Sequence, residues 1–214
     1  MSILLPRQDR STVKLAEPVV FVVDDDASVR EALANLIGSV ALHVECFASP
    51  REFLRQRRSD SPACLILDVR MPGLSGLEVQ QELAHAERKM PIIFISAHGD
   101  IPMAVRAMKE GAVEFLPKPF RDEDLLSAIR EALDRDTLAI AQGTAILGIR
   151  ARFAQLTTRQ RQILGLIVEG RLNKQIAAQL GLSENTVKVH RHRIMQRMGA
   201  ANIVGLARMI ERLS

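Results

Sequence analysis

The chain has 214 residues, 47% hydrophobic and 25% charged, with two cysteines and neither tryptophan nor tryptophan-like bulk from tyrosine. This is the composition of an ordinary folded protein; it excludes a disulfide-built scaffold, and no apolar run is long enough to span a membrane. The net charge of +4 hides a division: residues 1–136 hold 17 Lys+Arg against 22 Asp+Glu (net −5), and residues 137–214 hold 12 against 3 (net +9), which predicts an acidic domain followed by a basic one that faces a polyanion.

The opening segment, 1–17, is expected to be a flexible tail. Its apolar stretch in MSILLPRQDR is too short for a signal peptide, so a cytoplasmic protein is expected. Apolar, β-rich runs follow at VVFVV (19–23), LHVECF (42–47), CLIL (64–67), PIIFI (91–95) and AVEFL (112–116). Helical patterns separate and follow them, over Ser28 to Ile37, Pro50 to Gln56, Gly76 to His85, Pro102 to Lys109 and Arg121 to Leu133. Strands alternating with helices predict an α/β domain over 18–135, a parallel sheet covered on both faces. Cys64 and Cys46 are both expected in its core. The pattern loosens over 136–155, which contains Gly143 and Gly148 and is read as an interdomain linker; it is more apolar than a flexible one would be, so a helical part packed on a neighbour is the alternative. Residues 156–214 then read as four helices. Thr157 or Thr158 caps the first, Asn173 opens the second, Ser183 caps the third, and the fourth runs from about Asn202 to Arg212. The second and third, joined by LGLS, have a helix-turn-helix pattern.

Three carboxylates, Asp24, Asp25 and Asp26, stand at the end of the first strand. Two carboxylates about 5 Å apart repel by roughly 3 kcal/mol at an effective dielectric near 20, so such a cluster calls for a cation. In a parallel sheet the carboxyl ends of the strands form one rim. Asp68 ends the third strand, Ser96 the fourth, and Lys118 follows the fifth. Carboxylates, a hydroxyl and an ammonium on one rim suit Mg²⁺ and a phosphoryl group.

VVFVVDDD, LILDVRMPGLSG, FISAHGD and FLPKPF resemble, in order and spacing, the receiver domain of bacterial response regulators over about 18–135. NKQIAAQLGLSENTVKVHRHRIMQRM, within 156–212, resembles the LuxR-type DNA-binding domain. Together the chain resembles a two-component response regulator of the FixJ/NarL type, nearest the FixJ and StyR branch. The resemblance implies a (βα)5 doubly wound receiver with the flavodoxin-like strand order 2-1-3-4-5, then an all-α four-helix domain. It implies Asp68 as the phosphoacceptor and Mg²⁺, or Mn²⁺ in its place, held by Asp24, Asp25, Asp68 and the backbone carbonyl of Arg70. Ser96 and Lys118 would bind the phosphoryl oxygens, Ala97 would leave room for it, and Ser96 and Phe115 would act as switch residues. Asp26 would be peripheral, capping the first helix, and the Lys118–Pro119 bond would be cis. The implied partners are a sensor histidine kinase, double-stranded promoter DNA, RNA polymerase and, on phosphorylation, a second copy of the chain; no membrane is implied. Such a protein is no enzyme beyond its own phosphorylation and dephosphorylation, and transcriptional activation is the expected output.

In the basic domain, Asn185, Lys188, Val189 and His192 fall on one face of the third helix and are expected in the major groove. Lys188 can reach guanine acceptors and Val189 a thymine methyl. Lys174, Thr186, Arg191 and Arg193 are expected at phosphates. His190 shares a face with Val187, Ile194 and Met198 and reads as a core histidine, not a metal ligand. His98 reads as a loop residue.

A phosphatase of the haloacid-dehalogenase type would use a similar set, Asp24, Asp26, Ser96 and Lys118, with Asp24 as nucleophile. That alternative leaves the DVRMPGLSG motif and the basic helix-turn-helix without a role. A receiver-like module that never takes phosphate is the other alternative, and the full set of acceptor, metal ligands, hydroxyl and lysine argues against it.

Overall fold

A computed structural model describes residues 17–56, 61–85, 89–97 and 101–213. Most of the segment expected to be a tail, and His98, lie outside these residues. The chain divides into two compact units, Met1–Ile140 and Ala141–Ser214.

The first unit is built on five parallel strands, β1 (Val19–Val23), β2 (His43–Phe47), β3 (Ala63–Asp68), β4 (Ile92–Ser96) and β5 (Glu114–Pro117), in the order β2-β1-β3-β4-β5. Between them lie α1 (Ala27–Ser39), α2 (Pro50–Leu54), α3 (Gly76–Ala84) and α4 (Ile101–Lys109); α5 (Asp122–Ala154) follows. Alternate side chains along a strand leave by opposite faces. Val20, Val22, Ile66, Ile93 and Ile95 accordingly pack with Leu33 and Ile37 of α1 and Leu125 and Ile129 of α5. Phe21, Val23, Leu65, Leu67 and Phe94 pack on the other face with Phe53 of α2, Val79 of α3 and Ala107 of α4. Every residue of β3 is buried, as a central strand covered on both sides requires. Cys64, in β3, is fully buried, and burial pushes its thiol up to about 12. Cys46 departs from the expected core position: β2 is an edge strand, and this cysteine is exposed.

The helix expected to end at Leu133 continues to Ala154 through Gly143 and Gly148. Its periodicity loosens because residues 138, 139, 141–145 and 147 are exposed, so no core face imposes a pattern on them. Asp136, on this helix, is 1% exposed, and its Oδ2 accepts a 2.7 Å hydrogen bond from the N–H of Ala63, the first residue of β3.

The second unit contains the end of α5 and four helices, α6 (Thr158–Val168), α7 (Asn173–Leu180), α8 (Glu184–Met198) and α9 (Ile203–Glu211). Thr157, not Thr158, caps α6, paired reciprocally with Gln160. Gly181, left-handed at φ 65°, ends α7, and Ser183 caps α8. Ile163, Ile167, Ile176, Val187, Ile194, Met198 and Leu206 form its core, joined by Ile149 of α5. Among the described residues no helix is long and apolar enough to cross a membrane.

Candidate functional site

The strand ends meet as the parallel topology demands. The N–H of Lys118 donates to the carbonyl of Ser96 (2.8 Å), that of Val69 to Ile95 (3.2 Å) and that of Asp24 to Phe47 (3.3 Å). Backbone bonds thus carry the ladder one residue past the strands and set the side chains that follow. Asp24, Asp25, Asp26, Asp68, Arg70, Ser96, Ala97 and Lys118 line one cavity of about 330 Å³ together with Val29.

Lys118 organises it. Its Nζ donates to Asp24 Oδ2 at 2.7 Å and to Asp68 Oδ1 at 3.0 Å. The remaining oxygens also have donors: Asp24 Oδ1 accepts from the N–H of Asp26 (2.9 Å), and Asp68 Oδ2 from that of Arg70 (2.8 Å). Asp24 and Asp68 are buried, Asp25 is exposed, and Ser96 is 1% exposed. Burial raises the pKa of the Asp68 carboxyl; the Lys118 ammonium offsets this only in part, and the charge of Asp24 adds to the rise. For Lys118, burial acts downward, but the hydrogen bonds to Asp24 and Asp68 outweigh it and hold the ammonium above the ordinary lysine value. The result is an ammonium shared by two carboxylates, one of them with raised basicity.

Asp26 lies at the edge, where its side chain accepts from the N–H of Ser28 and caps α1. The Lys118–Pro119 bond is cis. Phe115 does not line the cavity; it is half-buried, its ring centroid 6.2 Å from that of Phe94. Two contributors lie outside the sequence reading. The Arg30 guanidinium donates to the Asp24 carbonyl at 2.7 Å, although its place in the first turn of α1 reads as plain helix surface. Gly76 opens α3 against Asp68: a Cβ there would stand 2.5 Å from the Asp68 carbonyl oxygen. The quoted motif DVRMPGLSG contains this glycine, but only the packing reveals why no side chain fits.

Carboxylate oxygens and a carbonyl are the hard donors that Mg²⁺ takes. Among the described residues no three His, Cys, Asp or Glu side chains stand grouped to hold a metal, and the Lys118 ammonium stands between Asp24 and Asp68. Each carboxylate oxygen there keeps a further lone pair, and Asp25 stands exposed beside them, so the donor set fits the ion chemically.

In the second unit, Asn185, Lys188, Val189, His192 and Arg193 are exposed on α8, and Lys174 is exposed in the first turn of α7. Thr186 is half-buried with its hydroxyl 2.8 Å from Ser183 Oγ. His190 is half-buried, and its Nδ1 is buried with no hydrogen-bond partner among the described residues. Arg191 does not share the exposed face: its guanidinium donates to Asn173 Oδ1 at 2.9 Å. The period that places His190 beside Val187 and Ile194 places Arg191 there too, four residues after the one and three before the other.

Comparison with known proteins agrees with this architecture. Residues 20–130 match the response regulator receiver domain, and residues 154–210 match the bacterial regulatory proteins of the luxR family. The chain is 49% identical to the response regulator protein TmoT of Ectopseudomonas mendocina, over 92% of this chain and 90% of that protein. It is 43% identical to the transcriptional regulatory protein FixJ of Azorhizobium caulinodans, over 89% and 90%. The solved structure of the response regulator StyR, 48% identical, superposes with a TM-score of 0.82 over 92% of this chain and all of that one. A receiver fold ending in an acidic rim with a bridging lysine, followed by a helix-turn-helix unit, therefore has relatives along its length, and the chain belongs to the response regulators that join a receiver domain to a LuxR-type DNA-binding domain and regulate transcription.

Proposed function

We propose that Asp68 accepts a phosphoryl group from a sensor histidine kinase, and that this modification promotes dimerisation and sequence-specific binding to promoter DNA, where the protein activates transcription with RNA polymerase. The observation that carries the reading is the Lys118 ammonium held between Asp24 and Asp68. A carboxylate with raised basicity is a competent nucleophile toward phosphorus, provided that positive charge meets the oxygens that accumulate around it. One Asp68 oxygen forms the new P–O bond while the donor's P–N bond to histidine breaks and the imidazole leaves. Lys118 pairs with the phosphoryl oxygens, and Ser96 donates its hydroxyl to them, a reading supported by their shared lining of the cavity beside Asp68. Asp24, Asp25, Asp68 and the Arg70 carbonyl would hold Mg²⁺, whose charge offsets the phosphoryl group's own.

The product adds about −1.5 to −2 charges beside Asp24. Lys118 then has a stronger partner than the Asp24 carboxylate, so the present bridge is the unphosphorylated arrangement and its exchange is the switch. Phe115, in the strand that precedes Lys118 and half-buried on Phe94, follows that exchange. The basic second unit, with Asn185, Lys188, Val189 and His192 exposed on α8, supplies the surface for the major groove, while Lys174, Thr186 and Arg193 stand near its rim.

The test is peptide mass spectrometry after incubation with Mg²⁺ and acetyl phosphate, for the parent and Asp68→Asn. A phosphoryl adduct on Asp68, absent from the variant, is expected. An adduct on Asp24 that turns over rapidly would point to phosphatase chemistry, and no adduct from acetyl phosphate or a histidine kinase would remove phosphorylation from the account.

A further inference from the structure

The basic stretch of α8 contains three arginines, Arg191, Arg193 and Arg197, of which the sequence pattern groups Arg191 and Arg193 at phosphates. The structure separates them. Val187, Ile194 and Met198 are fully buried and define the inward stripe of α8. At 100° per residue, Arg191 lies within about 40° of that stripe's centre, and the exposed residues Asn185, Val189 and His192 lie on the opposite side. Arg191 is half-buried, and its guanidinium reaches the first residue of α7, where Asn173 Oδ1 accepts its hydrogen bond at 2.9 Å. The other end of α7 is held in the same manner, since the Arg159 guanidinium donates to the Leu180 carbonyl. Helix α7 is therefore clamped at both ends by arginines, one from α8 and one from α6.

We propose that Arg191 is a positioning residue for DNA recognition and not a phosphate contact. Its bond to Asn173 fixes how α7 crosses α8, and thereby fixes which α8 side chains meet the base edges when Lys174, next to Asn173, meets the backbone. The inference rests on the DNA-reading role of the second unit. It differs from the sequence expectation that placed Arg191 with Lys174, Thr186 and Arg193 at phosphates. The chemistry of the two roles differs. A phosphate contact contributes equally on any sequence and releases a counterion, whereas a positioning bond matters only where base contacts exist.

The experiment uses the full chain treated with acetyl phosphate and Mg²⁺. A duplex is selected from a randomised pool by the parent protein, and a shuffled duplex of equal length serves as the non-specific probe. Affinities are measured across a salt series for the parent, Asn173→Ala, Arg191→Ala, Arg191→Lys and the double alanine variant. Positioning requires that Asn173→Ala, Arg191→Ala and Arg191→Lys each lose about tenfold on the selected duplex, the scale of one hydrogen bond to a charged group. It also requires unchanged affinity for the shuffled duplex, an unchanged salt slope, and a double variant no worse than either single one. A purely structural defect would lower both affinities together and leave their ratio alone, which overturns the proposal. So does a salt slope that falls by about one for Arg191→Ala with Arg191→Lys near the parent, the signature of a phosphate contact. A parent protein that never selects a duplex would overturn the DNA-reading role itself, and the positioning role with it.

Discussion

At the scale of single residues, the site is governed by the cost of buried charge. Burial, above all, raises the pKa of the Asp68 carboxyl. Its folded value therefore lies above its unfolded one, and the ionised carboxylate subtracts stability at every pH above that raised value. Below the ordinary carboxylate range the group is protonated in both states and the penalty vanishes. Asp68→Asn removes the charge and keeps one acceptor oxygen, for Lys118, at the loss of the acceptor for the Arg70 N–H; removal of the buried charge is the larger effect, so the variant is expected to melt higher than the parent at pH 7. The difference should close as the pH falls through the carboxylate range, which thermal unfolding at a series of pH values checks. Most of these site residues were legible in the sequence because each follows an apolar strand, and parallel strands bring their carboxyl ends to one rim. Arg30 was not, because its target is a backbone carbonyl and not a residue type that a pattern can show. Gly76 was visible but mute, since its role depends on a close approach that only the fold creates, the Asp68 carbonyl oxygen 2.5 Å from where a Cβ would stand.

Among the elements, boundaries depend on local chemistry that the sequence partly displays. The caps Asp26, Thr157 and Ser183 stand where Asp, Thr and Ser precede helical periodicity, and each accepts from a backbone N–H of the first turn. The turn between α1 and β2 gives no such sign. Ala41 there has φ 58°, in the left-handed region, and an alanine pays roughly 1 kcal/mol for that conformation. Ala41→Gly is expected to stabilise the first unit by up to about 0.5 kcal/mol, because relief of the left-handed cost exceeds the added freedom of the unfolded chain, which is about 0.4 kcal/mol at the low end. Chemical denaturation with an unchanged slope and a raised midpoint would show it; a lowered midpoint would refute it. The unbroken length of α5 is hidden in the sequence for a different reason. Hydrophobic period detects a helix by the core it faces, and the exposed middle of α5 faces none.

Over the whole molecule, the charge imbalance between the two units has a double use. The second unit's arginines do not all wait for DNA. Arg152 donates to the Met198 carbonyl at the end of α8, Arg161 to those of Ala154 and Leu156, and Arg197 to that of Gln155. Cations at helix C-termini satisfy carbonyls that lack partners and meet the favourable end of the dipole. The net positive charge of residues 137–214 thus overstates the charge available to nucleic acid. Since the cores of the two units are separate, Arg152→Ala is expected to lower the unfolding transition of the second unit by a few degrees, for a loss of about 1–2 kcal/mol. Calorimetry should show the first unit's transition unmoved, and a shift in both would contradict the division.

The bond from Ala63 to Asp136 gives the first unit a built-in reporter. The donor begins the strand that ends in Asp68, and its amide hydrogen reaches solvent only when the carboxylate of α5 lets go. Deuterium uptake at Ala63 therefore times the lifting of α5 from the sheet. Read before and after acetyl phosphate, that one amide tells whether events at the far end of β3 loosen the helix that leads out of the receiver, without a duplex or a partner in the tube.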